Sequence, residues 1–181
     1  RLLTQHPYTE ASPRWSPAGT HLAVTTGVRG QDTAVVVIDV ESGEADFVGG
    51  SDSFLAQHPS WAPDGRRIAF SGGPGDHPAI GVYELDTGSI TWAWEDHEYD
   101  ARHPVWAPDG TALAFTVDVE GETGLCHLDL RDGAMTEYSI APGNHYAPAF
   151  TPDGEAIVCV LSRPDSPPDL YRVELGSGEF F

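Results

Sequence analysis

Residues His58–Phe70 read HPSWAPDGRRIAF, and residues His103–Phe115 read HPVWAPDGTALAF. Two further versions flank them: SPRWSPAGTHLAV at Ser12–Val24 and APAFTPDGEAIVC at Ala147–Cys159. Their anchor aromatics, Trp15, Trp61, Trp106 and Phe150, stand 46, 45 and 44 residues apart. A period of that size marks a repeat architecture, in which each unit is one supersecondary element that buries its faces against its neighbours.

The second unit gives the grammar. HPSWAP reads as a short strand entered from a loop at its proline. PDG reads as a tight turn, because proline presets φ while Asp and Gly tolerate unusual backbone angles. RRIAFSG, AIGVYELD and ITWAWED alternate apolar and polar residues with strand period. GPGDHP and DTGS separate them. The first unit repeats this order with HLAVTTG, TAVVVIDV and ADFVGG, and the third with ALAFTVD, GLCHLDL and MTEYSIA. The fourth has AIVCVLS and DLYRVEL, then ends at Phe180–Phe181, read as the start of an outer strand. Four antiparallel strands per roughly 45 residues make one blade of a β-propeller. The fold class expected is therefore all-β, a partial propeller of about four blades at roughly 5–50, 51–97, 98–141 and 142–181, in one domain. The anchor aromatics are expected to pack between neighbouring blades. Arg1–Thr4, RLLT, reads as the tail of a preceding outer strand. An open set of blades favours self-association, so a homo-oligomer is an expected partner state.

Composition sets further bounds. The chain has 181 residues, 40% of them apolar and 10% aromatic, enough for a packed core. No apolar run approaches the length of a membrane-spanning helix. Nine Arg and no Lys stand against 28 acidic residues, for a net charge of −19. Such a surface repels nucleic acid and anionic membrane, and neither is an expected partner. It suits a salt-rich cytoplasm, and a cytoplasmic location is expected; the alternative reading is a high-GC codon bias that replaces Lys by Arg. Cys126 and Cys159 lie in apolar strand-like stretches with no metal or redox spacing, and read as small buried hydrophobes.

The repeat PSWAPDGRRIAF … IGVYELDTG resembles the TolB-like propeller repeat over essentially the whole chain, which implies architecture rather than one function. Ser162–Phe181, SRPDSPPDLYRVELGSGEFF, is similar to the last propeller blade of the prolyl oligopeptidase family, especially its acylaminoacyl-peptidase branch. That resemblance implies a non-catalytic segment that gates and positions short peptides for an α/β-hydrolase catalytic domain. No G-x-S-x-G nucleophile elbow occurs in the 181 residues, so the chemistry would belong to that partner domain. Two rival readings stand beside it. One is a TolB-like interaction module that takes a peptide or protein ligand. The other, weaker, is a metal-dependent lyase similar to oligogalacturonate lyases.

Candidate site residues follow from the repeat. His58 and His103 hold the same position before the proline of the inner strand, where Ser12 and Ala147 stand in the other units. Inner strands line a propeller's channel, so the two imidazoles are expected to face one space, with His145 close in register. Asp100 or Asp96 would add a carboxylate of the kind that joins imidazoles at divalent cations. The spacing is not diagnostic, and no metal or cofactor is assigned. Histidines that merely hydrogen-bond strand ends give the same pattern. Glu95–Pro104, EDHEYDARHP, reads as a solvated loop in which Arg102 is placed to hold a peptide carboxylate bidentately. Phe54–Leu55 reads as a contact for a partner or a neighbouring loop, and Asp165–Asp169, DSPPD, as a stiff surface loop.

Overall fold

A computed structural model describes residues 9–27, 33–50, 54–96, 98–138 and 142–181. Among them there is no helix; every regular element is a strand. The first sheet runs β1 (Glu10–Trp15), β2 (His21–Gly27), β3 (Thr33–Asp39), β4 (Ala45–Gly49), antiparallel and in sequence order. The second repeats this with β5 (Leu55–Trp61), β6 (Arg67–Gly73), β7 (Ala79–Glu84) and β8 (Ser89–Trp94). The third comprises β9 (Asp100–Trp106), β10 (Ala112–Val119), β11 (Glu122–Asp129) and β12 (Met135–Tyr138). The fourth has β13 (Asn144–Phe150), β14 (Ala156–Arg163) and β15 (Ser166–Glu174). Its outer strand is reduced to the bridge between Val173 and Phe180, with Arg172 and Phe181 exchanging two backbone hydrogen bonds. The result is a partial β-propeller of four blades with no closed ring.

Period-two alternation buries both faces of a blade. On β6, Ile68 and Phe70 point to the first blade and join Ala23, Val35 and Val37; Ala69 points the other way, to Leu113 and Phe115. The third interface sets Ala114 and Leu125 against Ile157, Cys159, Leu161 and Val173. Phe70, Phe115, Leu113 and Ile157 are wholly buried, and each such side chain contributes roughly 1.5–3 kcal/mol. Gly81 makes room for Phe70: a Cβ there would lie 2.5 Å from the Phe70 ring and 2.9 Å from Trp92. Both cysteines are free and buried in different interfaces, Cys126 between blades two and three and Cys159 between three and four. Burial pushes their thiols up, to about 12 and about 11 respectively.

The inner hairpins close as the PDG signal requires. Gly65 donates its N–H to Ala62 O and takes φ of 69°, a left-handed angle at which glycine carries no Cβ penalty. Asp64 Oδ1 accepts from Arg66 N at 2.8 Å, and Asp109 and Asp153 repeat the bond in their own turns.

Several expectations change. The inner strands begin before the His-Pro pair: β5 starts at Leu55 and β9 at Asp100, so the proline sits inside the strand rather than at its entry. The loop expected over Glu95–Pro104 ends at residue 99, and Ala101 is fully buried. The DSPPD stretch is largely strand: β15 begins at Ser166, and its two prolines occupy a register shift on a strand that, among the described residues, has no further full strand beside it. Phe54 packs against Phe70 and Trp92, with ring centroids 6.3 and 5.6 Å away, while Leu55 stays exposed. The reading of Arg1–Thr4 as a strand tail lies outside the described residues.

The anchor aromatics divide. Trp61 donates its indole N–H to Arg14 O, and Trp106 donates to Ser60 O, each at 3.1 Å. Each acceptor directly precedes the anchor of the blade before, so the indoles stitch successive inner strands together. Phe150 has no N–H to offer and is held by packing, including an edge contact with the His127 ring at 6.0 Å. Trp15 departs from the expectation: it is 58% exposed, because no preceding inner strand among the described residues stands against it.

Candidate functional site

Each inner strand carries the same fault in its ladder. On β5, Gln57 pairs with Ser71 and Ser60 with Ala69, so His58 and Pro59 together oppose Phe70. Ser12-Pro13 oppose Val24, His103-Pro104 oppose Phe115, and Ala147-Pro148 oppose Cys159. Two residues against one is a β-bulge, which bends the strand and re-aims a side chain. Proline is tolerated there because the bulge needs no donor from it. The residue before it takes a left-handed backbone in all four blades: φ is 51° at Ser12, 53° at His58, 56° at His103 and 51° at Ala147. For residues with a Cβ that conformation costs about 1–2 kcal/mol each, and four repeats of it in register mark a specified geometry.

The four bulges converge. Ser12, His58, His103 and Ala147 line one cavity of about 310 Å³, with Arg14, Val105, Tyr146 and the three prolines after His58, His103 and Ala147 completing its wall. The His58 and His103 rings lie with centroids 4.0 Å apart, tilted by 40°. His58 Nδ1 meets Ser71 Oγ at 2.8 Å, and its backbone N–H donates to Thr25 Oγ1 of the first blade at 3.2 Å. Ser71 Oγ donates to Gln57 O at 3.3 Å, and in the third blade Thr116 makes the same bond to Arg102 O at 3.2 Å, but there His103 Nδ1 is buried without a described partner. Burial, then the nearby His103, Arg102 and Arg14, push the His58 imidazole down to about 4. Burial and the same two arginines also lower His103. Both rings are therefore neutral near pH 7, and the positive charge at the cavity comes from guanidinium groups.

The charge of this cavity runs against the rest of the molecule. A cavity beside β11 is lined by Glu120, Glu122 and Glu137; one between the third and fourth blades by Asp109, Asp129 and Asp153; one on the first blade by Asp39, Glu41, Glu44 and Asp46. No carboxylate lines the cavity of the bulges, although 28 acidic residues are present in the chain. Arg14 donates to Pro13 O at 3.1 Å, and among the described residues no carboxylate pairs with it.

The other expected site residues go elsewhere. Asp100 and Arg102 lie on β9, joined at 2.7 Å, and Asp100 also accepts from His77 Nδ1 at 2.8 Å. Partial burial works against the Asp100 carboxylate, but the hydrogen bonds and charges of His77 and Arg102 outweigh it and hold the group below its usual range. Arg102 thus reaches the imidazoles through its field while its guanidinium is engaged. His145 is 3% exposed and fastens the third and fourth blades: its Nδ1–H donates to Thr123 O, and Thr123 Oγ1 donates to His145 O at 2.7 Å. It lines the glutamate cavity rather than that of the bulges. Asp96 Oδ1 accepts from Glu98 N at 2.8 Å. Among the described residues no three His, Cys, Asp or Glu side chains gather closely enough to hold a metal ion. Arg14 and Tyr146 escaped the sequence reading. Arg14 was findable, being the one charged residue at the position before an anchor aromatic, where Ser60, Val105 and Ala149 stand in the other blades.

The profile of the TolB beta propeller domain matches residues 1–141. No curated protein matches the chain. Among solved structures, TolB from Acinetobacter baumannii superposes with a TM-score of 0.81 at 21% identity, over 98% of this chain and 44% of that one. A puromycin-hydrolyzing peptidase from Mycobacterium tuberculosis gives 0.81 at 23% identity, over 100% of this chain and 29% of that one. Oligogalacturonate lyase from Vibrio parahaemolyticus gives 0.73 at 14% identity, over 100% and 56%. The chain spans less than half the length of the first two. At these identities the likeness is one of fold.

Proposed function

The chain belongs to the TolB beta propeller domain family, and from that footing we propose that its blades form a non-catalytic segment that binds short peptides and positions them at the inner strands. The observation that carries this reading is the cavity of the four bulges, where a repeated, strained backbone opens a space instead of filling it. Two further features support it. The fold is shared with a puromycin-hydrolyzing peptidase, and Ser162–Phe181 resembles the last blade of prolyl oligopeptidase-family propellers. In such an arrangement an α/β-hydrolase partner domain supplies the serine nucleophile, and the blades contribute exclusion and orientation.

Equilibrium binding of di- to hexapeptides to the purified chain, against folded proteins of similar charge, tests this. Short peptides should bind, and His58→Ala with His103→Ala should weaken them several-fold. A chain that binds no short peptide is not a peptide-positioning segment. A second reading, a TolB-like interaction module, is favoured by the family match itself. It expects a folded protein partner whose binding ignores His58 and His103.

A further inference from the structure

We propose that the cavity of the bulges is a carboxylate site, in which the Arg14 guanidinium holds the C-terminal carboxylate of a peptide whose last side chain lies against the prolines. It deepens the peptide reading and rests on it for the ligand's polymeric nature, but not for its charge.

Charge selects the ligand. The cavities lined by Glu120, by Asp109 and by Asp39 each carry several carboxylates and repel anions; this one carries none and has Arg14 in its wall. Against a net charge of −19, it is the one of these four cavities where an anion meets no carboxylate and one guanidinium. Arg14 Nη1 donates to the neighbouring carbonyl of Pro13, and among the described residues its Nε and Nη2 have no acceptor, which leaves that edge for an external one. Arg102 adds field without competing for the ligand, because Asp100 already holds it.

Hydrogen bonding selects the group. Ser71 Oγ gives its one proton to Gln57 O at 3.3 Å, so at 2.8 Å it accepts from His58 Nδ1–H, and that donor is spent inside the blade. The planar Arg14 guanidinium matches the two oxygens of a carboxylate. Pro59, Pro104 and Val105 give an apolar wall without donors to spare for a polar side chain. At about 310 Å³ the space is at the small end of ligand clefts, which span about 300–1,000 Å³, so it admits a chain end rather than a folded surface.

The test is calorimetric titration at pH 7 with Ala-Ala-Leu, its C-terminal amide, and N-acetyl-leucine. The free-acid tripeptide should bind at least tenfold more tightly than the amide, and N-acetyl-leucine should compete with it. Arg14→Gln should abolish the acid-over-amide preference, whereas Arg66→Gln, on an exposed arginine paired with Asp86, should keep it; circular dichroism checks that both fold. Equal affinity for acid and amide overturns the carboxylate site while leaving the peptide reading intact. Binding of N-acetyl-leucine but of no peptide upholds the site and removes the peptide reading. No binding by any of the three ligands overturns both, and an Arg14→Gln protein that still prefers the acid overturns the site alone.

Discussion

Replacing the anchor tryptophans one at a time by phenylalanine should give a graded series, Trp106 costing most, Trp61 less and Trp15 almost nothing. Trp106 is 7% exposed, its indole N–H donates to Ser60 O at 3.1 Å, and the Arg67 guanidinium lies 4.5 Å over its ring. Phenylalanine keeps a ring but loses the donor, at about 1–1.5 kcal/mol for a buried bond. It weakens the stacking with Arg67 by about 0.5 kcal/mol and leaves a void worth about 1 kcal/mol. The sum is about 2.5–3 kcal/mol, or roughly 5–12 °C in Tm for a chain of this size. Trp61 makes the same bond at 3.1 Å in a more exposed setting, so Trp61→Phe should cost about 0.5–1 kcal/mol. Trp15→Phe should stay within about 0.5 kcal/mol of the parent, as for an exposed side chain. Urea unfolding followed by far-ultraviolet circular dichroism measures all three. If Trp15→Phe proves as damaging as Trp106→Phe, the stitching of inner strands by indole donors is not what gives the anchor its weight.

Other outcomes follow from single contacts. Gly81→Ala should destabilise by about 1–3 kcal/mol through its clash with Phe70 and Trp92, and Phe70→Leu should relieve part of that, as a double-mutant cycle would reveal. His58 falls from 6.5 to about 4 and His103 is also lowered, so the unfolded chain binds more protons below pH 6.5. Their contribution is complete above pH 6.5 and is lost as pH falls towards 4. Discounted for partial exposure it amounts to about 1–2 kcal/mol, and His58→Gln with His103→Gln should flatten the stability curve in that window. Thr123→Val should destabilise by about 1 kcal/mol, because it removes one of the two bonds by which His145 fastens blades three and four. Cys126 and Cys159 should resist a thiol reagent at pH 8 until the chain is unfolded, and rapid labelling of the native protein would contradict their burial.

Much of this molecule was legible in its letters because the repeat wrote them four times. The PDG turns, the alternation of RRIAFSG and the 44–46 residue spacing each follow from local backbone rules, and those rules decide a propeller blade. The site was only half legible. That His58 and His103 share a repeat position could be read directly; that their backbone is left-handed, and that Pro59 sits within a strand, could not, because an X-Pro pair is ordinarily read as extended chain. Sequence proximity misled for His145, which directly precedes Tyr146 of the cavity yet points to Thr123, since neighbouring strand residues face opposite sides. Arg102 looked like a free loop cation because nothing in EDHEYDARHP announces that β9 begins at Asp100 and sets the two side chains together.

The bulges have a consequence for how such a protein can change. Ser, His, His and Ala fill the four equivalent positions, so the backbone there is indifferent to the side chain it carries. The burial that holds the blades together lies opposite, in residues such as Phe70 and Phe115. If the bulges bind the ligand proposed above, recognition and folding are written on separate letters of the same thirteen-residue phrase. Four interchangeable slots could be rewritten, one blade at a time, to accept a different ligand while the scaffold stays as it is.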